Sequence, residues 1–137
     1  FGAPAAVRAG DFIFYSGILG INNDCRIVNE SEDFDLAPEI PEGLLSKIGE
    51  YAEVSHQSWA ALHLLSKISQ EVGSSMNDLV KITVYLESPA SFTIFERMLL
   101  RLVSKENLPA VECVIIPNPG PIPGAQIQFE AIGWAGK

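Results

Sequence analysis

Between Ile48 and Leu86 the side chains change their spacing, and that change limits the folds open to this chain. Ile48, Ala52, Ser55, Trp59 and Leu62 step by three and four, and Ala61, Leu65, Ile68 and Val72 continue the pattern. That spacing is one face of a helix. Gly73 follows, and glycine accepts the left-handed conformation that closes a helix. From Leu79 the period falls to two. Val80, Ile82, Val84 and Leu86 face one way, and Lys81, Thr83 and Tyr85 face the other, as in a strand.

Shorter signals fill in the rest. Asp11–Gly17 is an aromatic and β-branched run after Ala9-Gly10, so it reads as a strand with Ala5–Arg8 as its hairpin partner. Asn22-Asn23-Asp24 is a turn, with Ile27-Val28 a short apolar follow-on. Asn29–Gly43 is acidic and holds Pro38 and Pro41, which predicts a flexible insert rather than a second domain. Ser88-Pro89 opens a second helix, with Phe92, Phe95, Leu99 and Leu102 as its buried stripe and Met98 beside them. Val111–Ile116 is a strand. Residues 117–124 contain four prolines and can be neither helix nor inner strand. The last strand, Gln126 to about Trp134, alternates Ile127, Phe129 and Ala131 against Gln126, Gln128 and Glu130. The order is hairpin, helix, strand, helix, strand, strand. Right-handed crossovers put both helices on one sheet face. The other face keeps apolar residues with no helix to cover them, which points to other copies of the chain in a closed ring.

Composition narrows function. A chain of 137 residues supports one domain with a real core. Its 17 acidic and 9 basic residues give a net charge of −8, the wrong sign for a nucleic-acid binder, and no Lys/Arg cluster stands out. No apolar run reaches the ~18 residues of a membrane span. No signal peptide is visible, and the cytosol is the default location. The start, Phe1-Gly2-Ala3-Pro4, lacks an initiator Met, which suggests a module from a larger protein. Cys113, within the apolar run 111–116, is expected to be a small buried hydrophobe, and Cys25 a free thiol in a turn. His56 and His63 are seven apart, whereas metal pairs favour four, so no metal is expected. No nucleotide, zinc-protease or serine-hydrolase motif is present, and no cofactor is expected.

Four segments then carry a resemblance. They are Phe14-Tyr15-Ser16-Gly17, Val80-Lys81-Ile82-Thr83-Val84-Tyr85-Leu86, Pro109-Ala110-Val111-Glu112-Cys113-Val114, and Phe129-Glu130-Ala131-Ile132. In this order they resemble the RidA/YjgF family, also called the L-PSP endoribonuclease family. The resemblance implies a chorismate-mutase-like α+β fold, with one mixed β-sheet and two helices on one face. It also implies a homotrimer around a barrel of sheets, with clefts between subunits. Ser16, Gly17, Ile18, Val111 and Cys113 would line the cleft, and Glu130 matches the catalytic glutamate that positions the attacking water.

The departures matter as much. Family members that deaminate imines hold the substrate carboxylate with an arginine, and that position is Val111. A guanidinium pairs bidentately with a carboxylate and valine cannot. Its loss is worth about 2–4 kcal/mol of binding, or ~10²–10³ in rate. The usual N-terminal aromatic falls near Ala3, the Gln-Ile-Pro after Ser-Gly is Ile18-Leu19-Gly20, and the segment 29–43 is longer than usual. Arg97 and Arg101 read as a solvated helix face rather than a relocated clamp. Standard 2-iminobutanoate/2-iminopropanoate deaminase activity is therefore expected to be absent. The chain is similar to degenerate modules fused to eukaryotic diphthine–ammonia ligases, which implies a trimerisation and small-molecule-binding role with an ATP-binding amidase domain in cis. A deaminase using Glu130 on a substrate without a carboxylate is the alternative. An endoribonuclease is least favoured by the charge.

Overall fold

The elements of a computed structural model follow the expected order. They are β1 (Ala6–Ala9), β2 (Phe12–Leu19), α1 (Gly49–Glu71), β3 (Leu79–Leu86), α2 (Ser91–Leu102), β4 (Ala110–Ile115) and β5 (Ile127–Trp134). The structure describes residues 5–22, 24–30, 33–34, 37–41, 44 and 49–136. Ile48, the first residue of the expected helical stripe, lies outside them. The strands form one sheet in the order β1-β2-β5-β3-β4. Its pairings are antiparallel except β3–β4, which the α2 crossover makes parallel.

Both helices lie on one face, because that is where their stripes find apolar partners. Leu62 and Leu65 of α1, and Phe95 and Met98 of α2, are fully buried with Ile82, Val84, Leu86, Ile127 and Phe129 of the sheet. The Phe95 and Phe129 rings sit 5.6 Å apart. Each such side chain contributes roughly 1.5–3 kcal/mol through burial. At the end of β2 the chain touches α1 directly. A Cβ on Gly20 would fall 2.3 Å from the Gln57 carbonyl oxygen, so only glycine fits.

Gln57 itself is fully buried on α1. Its amide donates to Asn29 Oδ1 (2.9 Å) and to the Gly124 carbonyl (3.1 Å), and its oxygen accepts the Gln126 N–H (2.8 Å). One side chain thus ties the helix to the start of the acidic segment and to the end of the proline-rich loop. On the same helix, the Trp59 and His63 rings meet edge-on at 4.4 Å. His63 Nε2 is buried with no hydrogen-bond partner, and burial pushes this imidazole below its usual range.

Three local expectations need correction. The β3–β5 register shifts between Leu79 and Lys81, so Val80 is an extra residue that bulges outward; Leu79 takes the core position instead. Regular α2 starts at Ser91, not at Ser88-Pro89. Ser88 still shapes the entry, its Oγ accepting the Ala90 N–H at 3.3 Å and its carbonyl accepting the Ser91 N–H at 3.1 Å. Cys113 is exposed rather than buried. Its strand, β4, is the sheet's edge, and Val111, Glu112 and Ile115 are exposed beside it. Gly73 closes α1 as expected: its φ is +79°, and the Ser74 N–H reaches back to the Ser69 carbonyl at 2.8 Å. Cys25 is an exposed free thiol at φ +59°, in a turn where Asn22 Oδ1 accepts the N–H groups of Asp24 and Arg26.

Within the acidic segment expected to be flexible, residues 31, 32, 35, 36, 42 and 43 lie outside the described residues. The described residues run along α1. Trp59 Nε1 donates to the Pro38 carbonyl at 2.8 Å, the Phe34 ring lies 5.7 Å from His56, and Ala37 and Ile40 pack against the core. Among the described residues no helix is long and apolar enough to cross a membrane.

Candidate functional site

Strand alternation and register fix what the bare sheet face displays. β2 presents Phe12 and Phe14, β3 presents Lys81, Thr83 and Tyr85, and β5 presents Glu130, Ile132 and Trp134. No described helix lies over them. Val7 (51% exposed), Phe14 (45%), Phe12 (39%) and Trp134 (39%) leave large apolar surfaces uncovered. The Phe12 and Trp134 rings pack edge-on at 5.2 Å.

A hollow of about 430 Å³ opens on this face. Its polar wall is Ser16, Lys81, Thr83 and Glu130, and its apolar wall includes Val7, Phe14 and Ile132. The register makes this grouping, since Thr83 lies opposite Glu130 and Lys81 opposite Ile132. Tyr85 Oη donates to Glu130 Oε1 at 3.1 Å. That hydrogen bond, with the carboxylate's charge, holds the Tyr85 phenol above its usual range. Lys81 Nζ lies 3.7 Å from Glu112 Oε1, and Thr83 Oγ1 is 3.5 Å from the same oxygen. Glu130 thus stands at the surface with one oxygen oriented by a phenol, an arrangement able to accept a ligand's hydrogen bond.

A second, largely apolar hollow of about 500 Å³ lies beside it, where β1 no longer accompanies β2. Ile18, Leu19, Ile21, Leu64, Ile68 and Pro121 line it, and Ser16, Gly17 and Gln128 supply its polar part. The β2–β5 register breaks between Tyr15 and Ile18, which turns Ser16 toward both hollows. Gly17 lies under the Gln128 amide: a Cβ there would fall 2.1 Å from Gln128 Nε2.

The fold brings Glu130 and Ser16 together, with Gly17 and Ile18 next to them; the Ile18 side chain itself is buried in the core. Val111 and Cys113 line neither hollow. They sit on β4, with β3 and β5 between them and β2. Partial burial pushes the Cys113 thiol above its usual range, the wrong direction for a nucleophile. Sequence alternation puts Lys81, Thr83 and Tyr85 on the polar side of a strand, but only the β3–β5 pairing joins them to Glu130. Among the described residues no group of three His, Cys, Asp or Glu side chains could hold a metal ion.

Two helices on one face of a mixed five-stranded sheet, with a polar-walled hollow on the bare face, define an α+β protein of the RidA fold. The endoribonuclease L-PSP family model matches residues 3–132, and the chain belongs to that family. A Klebsiella pneumoniae protein provisionally described as an endoribonuclease is similar at 27% identity and a TM-score of 0.80, over 97% of this chain and 99% of that one. RidA from the Antarctic bacterium Psychrobacter sp. PAMC 21119 shares the fold at 22% identity and a TM-score of 0.68, over 98% and 89%. An Entamoeba histolytica L-PSP protein does so at 21% and 0.69, over 98% and 88%. No curated protein sequence matches the chain.

Proposed function

We propose that this chain is a self-assembling, small-molecule-binding RidA domain without standard imino-acid deaminase activity. The observation that carries the reading is the bare sheet face: it exposes Phe12, Phe14 and Trp134 and holds a hollow whose described lining contains Glu130 but no arginine. An uncovered apolar face of this kind favours association with further copies of the chain. The β4 edge supports it too, since it combines an unpaired strand margin with exposed Val111 and Ile115. In a homotrimer, β4 of one copy would approach the Ser16–Glu130 side of the next and complete a cleft there. The residue delivered at the family's clamp position would be Val111, which cannot pair with a carboxylate. The resemblance to modules of diphthine–ammonia ligases supports a setting with an ATP-binding amidase domain in cis, where the module would assemble or regulate.

The second reading is a deaminase of altered specificity. The exposed Glu130, with one oxygen oriented by Tyr85, favours it. Two measurements separate the readings. Light scattering should give a trimer, and a monomer at micromolar concentration would overturn assembly. Imines generated from serine or threonine should be hydrolysed no faster than in buffer; robust turnover abolished by Glu130→Gln would establish the deaminase instead.

A further inference from the structure

We infer that a polar hollow between the first turns of the two helices binds a primary ammonium group on a short alkyl stem. Tyr51 of α1, Glu87 and Ser88 after β3, Ser91 of α2 and Gln126 before β5 line it. The hollow lies on the helix side of the sheet, so assembly through the bare face leaves it open. Its volume is about 170 Å³, below the roughly 300 Å³ at which drug-sized ligand sites begin. Only a small group fits.

Ser91 is the residue that asks for a ligand. It is 6% exposed and faces the hollow, yet among the described residues its hydroxyl has no hydrogen-bond partner. A hydroxyl in that position is costly to leave unmatched. The rest of the wall decides the charge. α2 has no spare donors for an anion. The Ala90 N–H goes to Ser88 Oγ, the Ser91 N–H to the Ser88 carbonyl and the Phe92 N–H to the Pro89 carbonyl. What remains are acceptors. Glu87 brings a carboxylate. Gln126 turns its Nε2 to Glu53 Oε2 at 3.2 Å, which leaves its Oε1 without a described donor and sets a second carboxylate beside the hollow. No described cation pairs with Glu53 or Glu87. Two full negative charges outweigh the half-charge of a helix N-terminus. An ammonium carries three N–H donors and no acceptor, so it can use Glu87, Gln126 Oε1 and Ser91 Oγ together. Tyr51 gives its alkyl stem an aromatic neighbour.

An NMR titration of the isotope-labelled chain with methylammonium tests this. Tetramethylammonium at equal ionic strength is the control, because it has the charge and no N–H donor. Methylammonium should saturate, with its largest shifts at the amides of Glu87, Ser91 and Gln126, and tetramethylammonium should bind at least about tenfold more weakly. Glu87→Gln and Ser91→Ala should each weaken methylammonium at least about fivefold. Glu87 is exposed and Ser91→Ala adds no bulk, so both variants should fold. Equal binding of the two probes would overturn the inference, as would shifts confined to other residues or no saturation by about 50 mM. Unchanged affinity in both variants would overturn it too. A free amine and a protein's lysine present the same group, and butylamine and Nα-acetyl-lysine methylamide separate them. Tighter binding of the first assigns the site to a free alkylamine, and tighter binding of the second to a lysine side chain of a partner.

Discussion

Replacing Gln57 by leucine tests the packing argument most severely. The shapes are close, so the helix face is kept, but three hydrogen bonds disappear. Asn29 Oδ1 can turn toward water. The Gly124 carbonyl and the Gln126 N–H are held against the helix and lose a partner each. A stranded polar group costs about 1–3 kcal/mol when fully buried; Gly124 is exposed and Gln126 half-buried, and burying leucine in place of the amide returns some of the loss, so the net loss is about 1–2 kcal/mol. With a urea m-value of about 2 kcal/mol/M the midpoint should fall by roughly 0.5–1 M. Urea titrations at one fixed protomer concentration measure this, because assembly would otherwise shift the midpoint by mass action. Gln57→Glu is the companion. It keeps the acceptor for Gln126 but turns a negative charge toward Asn29 Oδ1 and the Gly124 carbonyl, so it should lose at least as much. If Gln57→Leu cost less than about 0.5 kcal/mol, the three-way clasp would be a geometric coincidence and the reasoning would fail.

Two further predictions follow from α1 and the segment beside it. His63 is neutral when folded and its pKa is lowered by burial, so the unfolded chain takes up a proton first. Its contribution is intact above the ordinary histidine range near 6.5 and is lost as pH falls below it. Wild type should therefore lose more melting temperature between pH 7.5 and 5.5 than His63→Phe, and equal losses would refute the assignment. Hydrogen exchange should be faster across 29–43 than in β3, because its carboxylates and prolines leave few groups to order it. Trp59→Phe, which removes the bond to the Pro38 carbonyl, should speed it further; protection equal to β3 would make the segment a fixed part of the body.

Periodicity made the element order legible because it reports burial directly, and burial decides which side chains α1 and β3 turn inward. It failed where burial is decided by neighbours in space. Val80 continues a period of two in sequence, but one inserted residue resets the count. Cys113 sits in an apolar run, yet its strand is the sheet's edge, with no described strand beyond it. Gln57 looks like an ordinary polar residue on a helix, for its partners are 28 to 69 residues away. The site was half legible for the same reason. Glu130 and Ser16 were named from motifs, but Lys81 and Thr83 join them only through the antiparallel pairing of β3 with β5. The distance of Val111 from them depends on strand order, which no local pattern encodes.

That strand order also bears on how the chain is made. β5 leaves the ribosome after every other strand, and its place is the centre of the sheet. Until it arrives, the β1–β2 hairpin and the β3–α2–β4 unit each expose the edge that β5 will later join. The β2 edge carries no charged residue, and on the β3 edge Lys81 is the one charge that opposes pairing with another chain. The eight residues from Ile127 to Trp134 are therefore the keystone of the sheet: neither the β1–β2 hairpin nor the β3–α2–β4 unit has its full set of strand partners until they arrive.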